Sequence, residues 1–228
     1  MKPRYFFGIT AIAFIITVCI GLYNKSSFTD YNEEEDPINH FLVALLPDEF
    51  AVRQVEVMDE MLDLSKIILA VQCEDTFTYR FASTTQKVRI LSVFKGEGLA
   101  EGDTIEIARA GTLISVSEEL REQPGKGVIN MGFVNEMIPG KTYLVFLHRQ
   151  LQTWNEKSVI YIQSDRFLVA PIFCYEEIEN TLAVPLDNET TYVNYDSVRN
   201  NEFFLSSEEA VQRFTELKRK FISKYAYN

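Results

Sequence analysis

The two histidines of the chain are the first residues to weigh, because acid-base chemistry needs a side chain that exchanges a proton near neutral pH. His40 falls in a short predicted helix, and His148 ends a predicted strand beside Arg149. Neither has a spacing that pairs it with a nucleophile or with two carboxylates. We interpret both as helix-surface or strand-end residues and predict no catalytic residue. A hydrolase with an unrecognised site is the remote alternative.

The three cysteines, Cys19, Cys73 and Cys174, form no C-x-x-C or Cys/His pattern and so predict no zinc site. Two interpretations stay open for Cys73 and Cys174. They can form one disulfide bond in an oxidising compartment, or they can be two buried thiols. Spacing does not decide between these, because the two residues lie about 100 positions apart.

Two further patterns resemble ligand loops but are incomplete. Four acidic residues lack the alternating oxygen ligands and central glycine of a calcium loop: Asp36, Asp48, Asp59 and Asp63. The glycines of residues 95–98 and 125–127 lie between predicted strands or after a proline, without the Gly-Lys-Ser/Thr ending of a phosphate loop. The sequence therefore predicts no metal and no cofactor.

Aromatic residues near the later strands offer one candidate ligand face. Trp154 and Tyr161 are the residues concerned. Barrels of the OB type often bind ligands on such a face, so these two side chains are a candidate binding position. Packing in the core is the alternative interpretation.

The formal net charge of -11 is concentrated in one part of the chain. Residues 26–75 hold thirteen acidic side chains against only Arg53 and Lys66, and the rest of the chain nearly balances. A nucleic-acid surface needs a clustered excess of Lys and Arg to neutralise phosphates. The distribution therefore predicts no nucleic-acid partner.

The amino terminus contains an uncharged run from residue 5 to residue 23, which as a helix would span about 28 Å at 1.5 Å per residue. That length matches the hydrocarbon core of a bilayer. Lys2 and Arg4 precede the run, so the positive-inside tendency predicts a cytoplasmic amino terminus and an extracytoplasmic domain. A cleaved signal peptide is the alternative, although the run lacks small residues at a suitable cleavage position.

Five segments follow from this organisation. We predict a cytoplasmic tip and transmembrane anchor at 1–24, an acidic stalk at 25–36, short helices at 37–64, a β-domain at 65–190 and a carboxyl-terminal segment with a docked helix at 191–228. The fold class is mainly β with flanking helices (α+β).

Within the β-domain, alternating apolar residues predict a hairpin from strands at 87–94 and 104–108. A continuous apolar run predicts a buried strand at 67–73, and β-forming residues after a Pro-Gly turn predict a strand at 142–147. Shorter strands are predicted at 159–162, 167–173 and 182–186. Helices are predicted at 37–46 and 58–64, with breaks at Pro47 and Ser65. A capping box at residues 206–209 predicts an amphipathic terminal helix.

The order of these elements resembles that of exported OB-like barrels of the TIMP/netrin-like type. The matching stretches are 65–71, 88–96, 102–107 and 139–147, and the resemblance covers residues 65–175. It implies a partly open OB-like β-barrel. Inhibitors of that superfamily chelate a protease zinc through a free amino-terminal cysteine, which this chain lacks in the comparable region, so the resemblance implies the fold alone.

Together these features predict a membrane-anchored, extracytoplasmic binding or interaction module without catalytic activity, whose partners are the membrane, through residues 5–23, and an extracytoplasmic protein. An exported inhibitor of a protease or cell-wall hydrolase is the alternative. In that case the edges of the barrel would contact the target.

Overall fold

The computed structural model describes residues 3–27, 31–35, 37–80, 83–110, 112–114, 127–151, 160–163, 166–185 and 191–227. Over these residues the chain is a mixed α+β protein with three α-helices and two β-sheets. It divides into two units, Met1–Pro37 and Ile38–Asn228, and each is described by itself.

The first unit contains helix α1 (Pro3–Ser27), which covers the uncharged run at residues 5–23. Its described apolar side chains are exposed, with Phe14 at 69% and Leu22 at 62%. The helix is therefore confirmed. Within the part of the chain that the structure describes, however, no helix combines the length and apolarity needed to cross a membrane, so the transmembrane prediction at residues 5–23 gains no support there. A short 3₁₀ turn, Tyr31–Glu33, lies in the predicted stalk.

The second unit contains the two sheets and two helices. The helices are α2 (Asp48–Met61) and α3 (Glu208–Lys224). The strands are β1 (Phe41–Ala44), β2 (Ile67–Cys73), β3 (Thr78–Arg80), β4 (Ser83–Lys95), β5 (Thr104–Ala110), β6 (Thr112–Ile114), β7 (Gly127–Asn130), β8 (Thr142–Leu151), β9 (Ile160–Gln163), β10 (Ile172–Cys174) and β11 (Tyr192–Asn194).

The larger sheet has the strand order β10-β8-β2-β4-β5-β9, with β3 added beside β4. Strand β9 pairs in parallel with β5 and antiparallel with β8. The pairings β8-β2-β4-β5-β9 therefore return to β8, and five strands form a closed circuit of hydrogen-bonded neighbours. The predicted hairpin is confirmed as β4 and β5, with Val88 opposite Ile105 and Gln86 opposite Ile107.

The smaller sheet has the order β11-β1-β7-β6 and joins strands from distant parts of the chain. The helix predicted at 37–46 is wrong, because Pro37–His40 is a 3₁₀ turn and the following apolar residues form β1. A short continuous apolar run fits a buried strand as well as a buried helix. Here β7 and β11 pair with both edges of β1, so its backbone groups are satisfied as a strand.

Two other predictions need correction. Helix α2 begins directly after Pro47, ten residues before the predicted start at 58, and a 3₁₀ turn at Leu62–Leu64 follows it. Acidic residues in its first turn favour that start. The strand predicted at 167–173 is reduced to β10, and residues 182–185 are not a strand. Leu182 and Val184 are exposed there, so burial does not hold this segment in a sheet.

The terminal helix is confirmed. Ser207 is the N-cap of α3, and its side chain accepts a hydrogen bond from the Ala210 amide at 3.2 Å. The apolar stripe of the helix is buried, and the Phe221 ring lies 5.5 Å from the ring of Phe146 on β8. Helix α3 therefore covers one side of the closed strand circuit.

Candidate binding surface

His148 and Lys66 are brought together by strand register. Strands β2 and β8 are antiparallel, and the first residue of β2, Ile67, is opposite Leu147. Lys66 and His148 are the next residues beyond this pair, and both line one cavity. The two side chains therefore belong to one surface at the beginning of β2.

His148 also lies at an irregularity in the sheet. The pairing of β8 with β9 shifts register between Leu147 and Arg149, which leaves His148 as the extra residue of a bulge. A bulge bends its strand and redirects the side chain of the extra residue. The pairing of β8 with β9 therefore determines the direction of the His148 side chain, which is half-buried.

A small cavity of about 50 Å³ opens at this position. Its described lining residues are Met61, Leu64, Ser65, Lys66, Leu147, His148, Arg166 and Phe167. Roughly 10–15 Å³ of such volume is enough to hold one water molecule, so the cavity has room for a few waters or a small polar group. We call these residues together with Leu168 the His148 surface.

Two exposed leucines belong to this surface: Leu64 lines the cavity, and Leu168 follows the lining residue Phe167 in the chain. Leu64 is 64% exposed and Leu168 is 53% exposed. The position of Leu168 is held by α2, because the buried Gln54 side chain accepts a hydrogen bond from the Leu168 amide at 3.0 Å. The His148 surface thus contains two exposed leucines, the half-buried imidazole of His148 and the exposed ammonium group of Lys66.

The charged groups of the His148 surface differ from those of α3 in their partners. Lys220 and Lys224 are paired with Asp59 and Asp63 of the neighbouring helix region. In contrast, the side chains of Lys66 and His148 make no hydrogen bond or ion pair with any described residue. Among the described residues that line the cavity, none is acidic. Of the four acidic residues that resemble no calcium loop, Asp59 and Asp63 are thus not isolated charges, because each pairs with a lysine of α3.

The surface lacks the contacts that hydrolytic chemistry would use. Ser65 and His148 both line the cavity, but no hydrogen bond joins the hydroxyl and the imidazole in the described structure. A nucleophile needs an adjacent base within hydrogen-bond reach. In this geometry the surface can bind a small group, while no proton relay is assembled around it.

The two thiols discussed as a disulfide are free and buried. Cys73 ends β2 and Cys174 ends β10, and β8 lies between these strands. Strands two apart are separated by about 9.5 Å, well beyond the Cα separation of a disulfide. The disulfide alternative is therefore not formed here. Burial raises the pKa of Cys73 to about 12 and raises the pKa of Cys174, so both stay protonated and unreactive at neutral pH.

The predicted aromatic ligand face is described only in part. Tyr161 lies on β9 opposite Ile107, is buried within the hydrophobic core, and has its pKa raised by burial. Trp154 lies outside the described residues, as does the side chain of His40. Tyr161 is not part of the His148 surface.

A buried arginine on β5 was missed in the sequence. Ile105, Ile107 and Arg109 alternate along the strand and are all buried. Arg109 donates from Nη1 to the carbonyl oxygens of Val134 and Asn135, at 3.0 and 2.7 Å. Burial lowers its pKa to about 10. The signal was available, because the alternation of β5 puts position 109 on the apolar face.

No family model matches the chain, and no curated protein matches it significantly. The fold and the His148 surface therefore stand as the basis for a functional proposal.

Proposed function

We propose that this chain is a non-catalytic binding module that attaches to a partner protein through the His148 surface. The observation that carries the proposal is a small cavity lined by the exposed Leu64, by Phe167 and by Lys66, with the exposed Leu168 next to Phe167 in the chain. Single exposed apolar residues are ordinary on protein surfaces, but apolar residues grouped around a concave polar site are typical of interaction surfaces. Rigid support from α2 and β8 favours the same interpretation, because preorganisation reduces the entropy lost on binding.

The proposal takes the second unit as an OB-like β-barrel. Support comes from the closed five-strand circuit, in which β8 returns to lie beside β2 in the order β8-β2-β4-β5. That is the spatial order of a Greek key, and the OB-fold is a five-stranded, partly open Greek-key barrel. Backbone proton contacts between β5 and β9 and between β8 and β9, measured by NMR, test this. Their absence would leave an open sheet.

We also propose that residues 5–23 attach the protein to a bilayer, with the second unit outside the cell. Support comes from the uncharged sequence of this run, from Lys2 and Arg4 before it, and from the exposed apolar side chains of α1. The expected result is retention of the protein in membranes during alkaline carbonate extraction, with the domain digested by protease added to intact cells. Release by carbonate, or protection in intact cells, contradicts this attachment.

Site-specific photocrosslinking in the cells that express the protein tests the binding function. A photoreactive amino acid is placed at Leu64 or Leu168, and at Leu182 or Val184 as matched controls, because these are also exposed apolar positions. We expect a discrete crosslinked protein from the first pair alone. The same pattern from both pairs, or none from the first, would overturn the proposal.

The alternative of an exported inhibitor is examined with the same crosslinked partner. If that partner is a protease or a cell-wall hydrolase, its activity is measured with and without the purified chain. If the activity of the partner falls when the chain binds, the chain is an inhibitor of that partner. Unchanged activity would leave attachment or scaffolding as the role of the module.

A further inference from the structure

We infer that the second unit encloses a small monovalent anion, of the size of chloride, on the guanidinium group of Arg109. Arg109 is not among the described residues that line the His148 cavity. The inference therefore concerns a separate site and does not rest on the proposed function.

The guanidinium lies beneath segment 134–138, which covers one end of the closed strand circuit. Polar side chains from four strands hydrogen-bond to the backbone of this segment: Cys73 from β2, Gln86 from β4, Arg109 from β5 and Tyr143 from β8. All four lie near the same end of the circuit, because β2 and β5 end there and the antiparallel β4 and β8 begin there. The segment is therefore attached to the circuit from within.

Arg109 differs from its neighbour Gln86 because it leaves donors unused. The Gln86 amide is fully engaged with Met137, since Oε1 accepts from the Met137 amide at 2.9 Å and Nε2 donates to the carbonyl oxygen at 2.8 Å. Arg109 binds the segment through Nη1 alone, and within the described structure its Nε and Nη2 atoms are buried without a hydrogen-bond partner.

The two unused nitrogen atoms lie side by side on one edge of the planar guanidinium. Such an edge holds an anion with two parallel hydrogen bonds. A buried polar group without a partner in the protein is explained by strain, by a functional role, or by a bound water or ion. The geometry of the unused edge therefore indicates an acceptor that binds Nε and Nη2 together.

The charge of Arg109 indicates that this acceptor is an anion. Arg109 is 3% exposed, and buried charges in proteins are normally paired with an opposite charge. The Phe77 ring, 5.4 Å from Cζ, attracts the cation but carries no net charge. Burial lowers the pKa of Arg109 to about 10, so the group is still charged at neutral pH.

The carboxylate of Glu136 acts on this charge without neutralising it by contact. It favours the charged form of Arg109, but it does not hydrogen-bond to the guanidinium, and its Oε2 accepts from the Phe77 amide at 3.4 Å. A divalent anion would add an excess of negative charge beside this carboxylate. A monovalent anion balances the guanidinium without that excess.

The burial of the edge favours an anion of one atom. Because neither nitrogen is accessible to solvent, the bound ion is enclosed, and the close-packed surroundings are displaced less by one atom than by a phosphate or a carboxylate. A water molecule would satisfy the donors but leave the charge without a counter-ion. The ion enters while segment 134–138 is displaced, during folding or during local opening.

Thermal unfolding of the full chain, followed by circular dichroism, tests the site. Sodium chloride is exchanged for sodium gluconate at constant ionic strength, because gluconate is too large to be enclosed. With a dissociation constant of about 10 mM, about 0.2 M chloride should raise the melting temperature by about 5 °C, and the rise should saturate. Arg109→Met should abolish this rise. Arg89→Met is the matched control, since it removes an exposed arginine of β4 and changes the net charge equally.

A direct measurement keeps the test decisive if Arg109→Met does not fold. Crystals of the wild-type full chain are grown with sodium bromide, and anomalous scattering locates the bound bromide. We expect a peak within hydrogen-bond distance of Nε and Nη2 of Arg109. The inference is overturned if water or protein atoms occupy this edge, or if chloride and gluconate give the same melting temperature. It is also overturned if Arg109→Met and Arg89→Met respond equally to chloride.

Discussion

The buried contact between Glu202 and Lys218 gives the sharpest test of how α3 is held on the domain. Lys218 lies on α3, and its Nζ atom is 2.6 Å from Oε2 of Glu202, with the two side chains 4% and 3% exposed. Each member has a second partner. Glu202 accepts from the Cys174 amide at 2.6 Å, and Lys218 donates to the carbonyl oxygen of Glu176 at 2.7 Å.

Removing one member leaves the other charge buried without its counter-ion. Breaking a buried pair in this way costs about 3–5 kcal/mol. Melting temperature falls by roughly 2–4 °C per kcal/mol for a domain of 150–250 residues, so either Glu202→Gln or Lys218→Met should lower it by about 10 °C. Glutamine keeps an oxygen that can accept from the Cys174 amide, so this variant isolates the loss of charge.

The double variant Glu202→Gln/Lys218→Met removes both charges together. Uncharged replacements of buried ion pairs are often neutral in stability, so we expect the double variant to recover most of the loss. With single losses of about 3–5 kcal/mol each and a double variant close to wild type, the coupling between the two sites is about 5 kcal/mol or more, above the range usual for residues in contact.

Urea unfolding of the full chain, followed by tryptophan fluorescence and circular dichroism, measures all three variants. The control is Arg213→Met, which breaks an exposed pair with Glu209 on the same helix and should cost at most about 0.5 kcal/mol. The reasoning is refuted if the buried single variants cost no more than the control. It is also refuted if the double variant is as unstable as the two single losses added together.

Three other predictions concern stability and reactivity. Burial acts to raise the pKa of Asp63, but hydrogen bonds from Lys224 and a tyrosine hydroxyl outweigh this effect and lower the pKa. Wild type should therefore be more stable than Asp63→Asn above about pH 4, and this difference should vanish as the pH falls further. Urea midpoints measured across this pH range test the prediction. Cys73 should resist iodoacetamide at pH 8 until the protein is unfolded, and native-state labelling detected by mass spectrometry would contradict its burial. Gly132→Ala should lower the free energy of unfolding in urea more than Gly98→Ala. Both glycines have positive φ, but only a Cβ at position 132 meets neighbouring atoms, the nearest at 3.1 Å. Equal losses would show that the contact at position 132 relaxes freely.

Elements with a complete local pattern were predictable. The hairpin of β4 and β5 combines alternation of period two with glycine at its turn. Helix α3 combines an apolar stripe with a serine N-cap, although the cap is Ser207 and the predicted capping box of Ser206 with Glu209 is not formed. Strand β2 was found from a continuous apolar run, and β8 from β-forming residues after a Pro-Gly turn. In each case neighbouring residues determine the same structure that the tertiary packing then uses.

The segment 37–46 shows where local pattern fails. Its apolar residues are compatible with a helix or a strand, and the choice depends on β7 and β11, which come from residues far along the chain. The same limit applies to the buried ion pair of α3, because burial of a charged group depends on what covers it. Trp154 remains a prediction, since it lies outside the described residues.

By itself the sequence determined that the chain has an uncharged amino-terminal helix, an acidic segment and a β-rich domain with a terminal helix, since hydrophobic period and charge are local properties. Only the tertiary structure decided that His148, interpreted as a strand-end residue, lines one cavity with Lys66 and the exposed Leu64. It also separated Cys73 from Cys174 by a whole strand. The physical reason is that strand register and burial depend on contacts between residues remote in sequence, which no local pattern records.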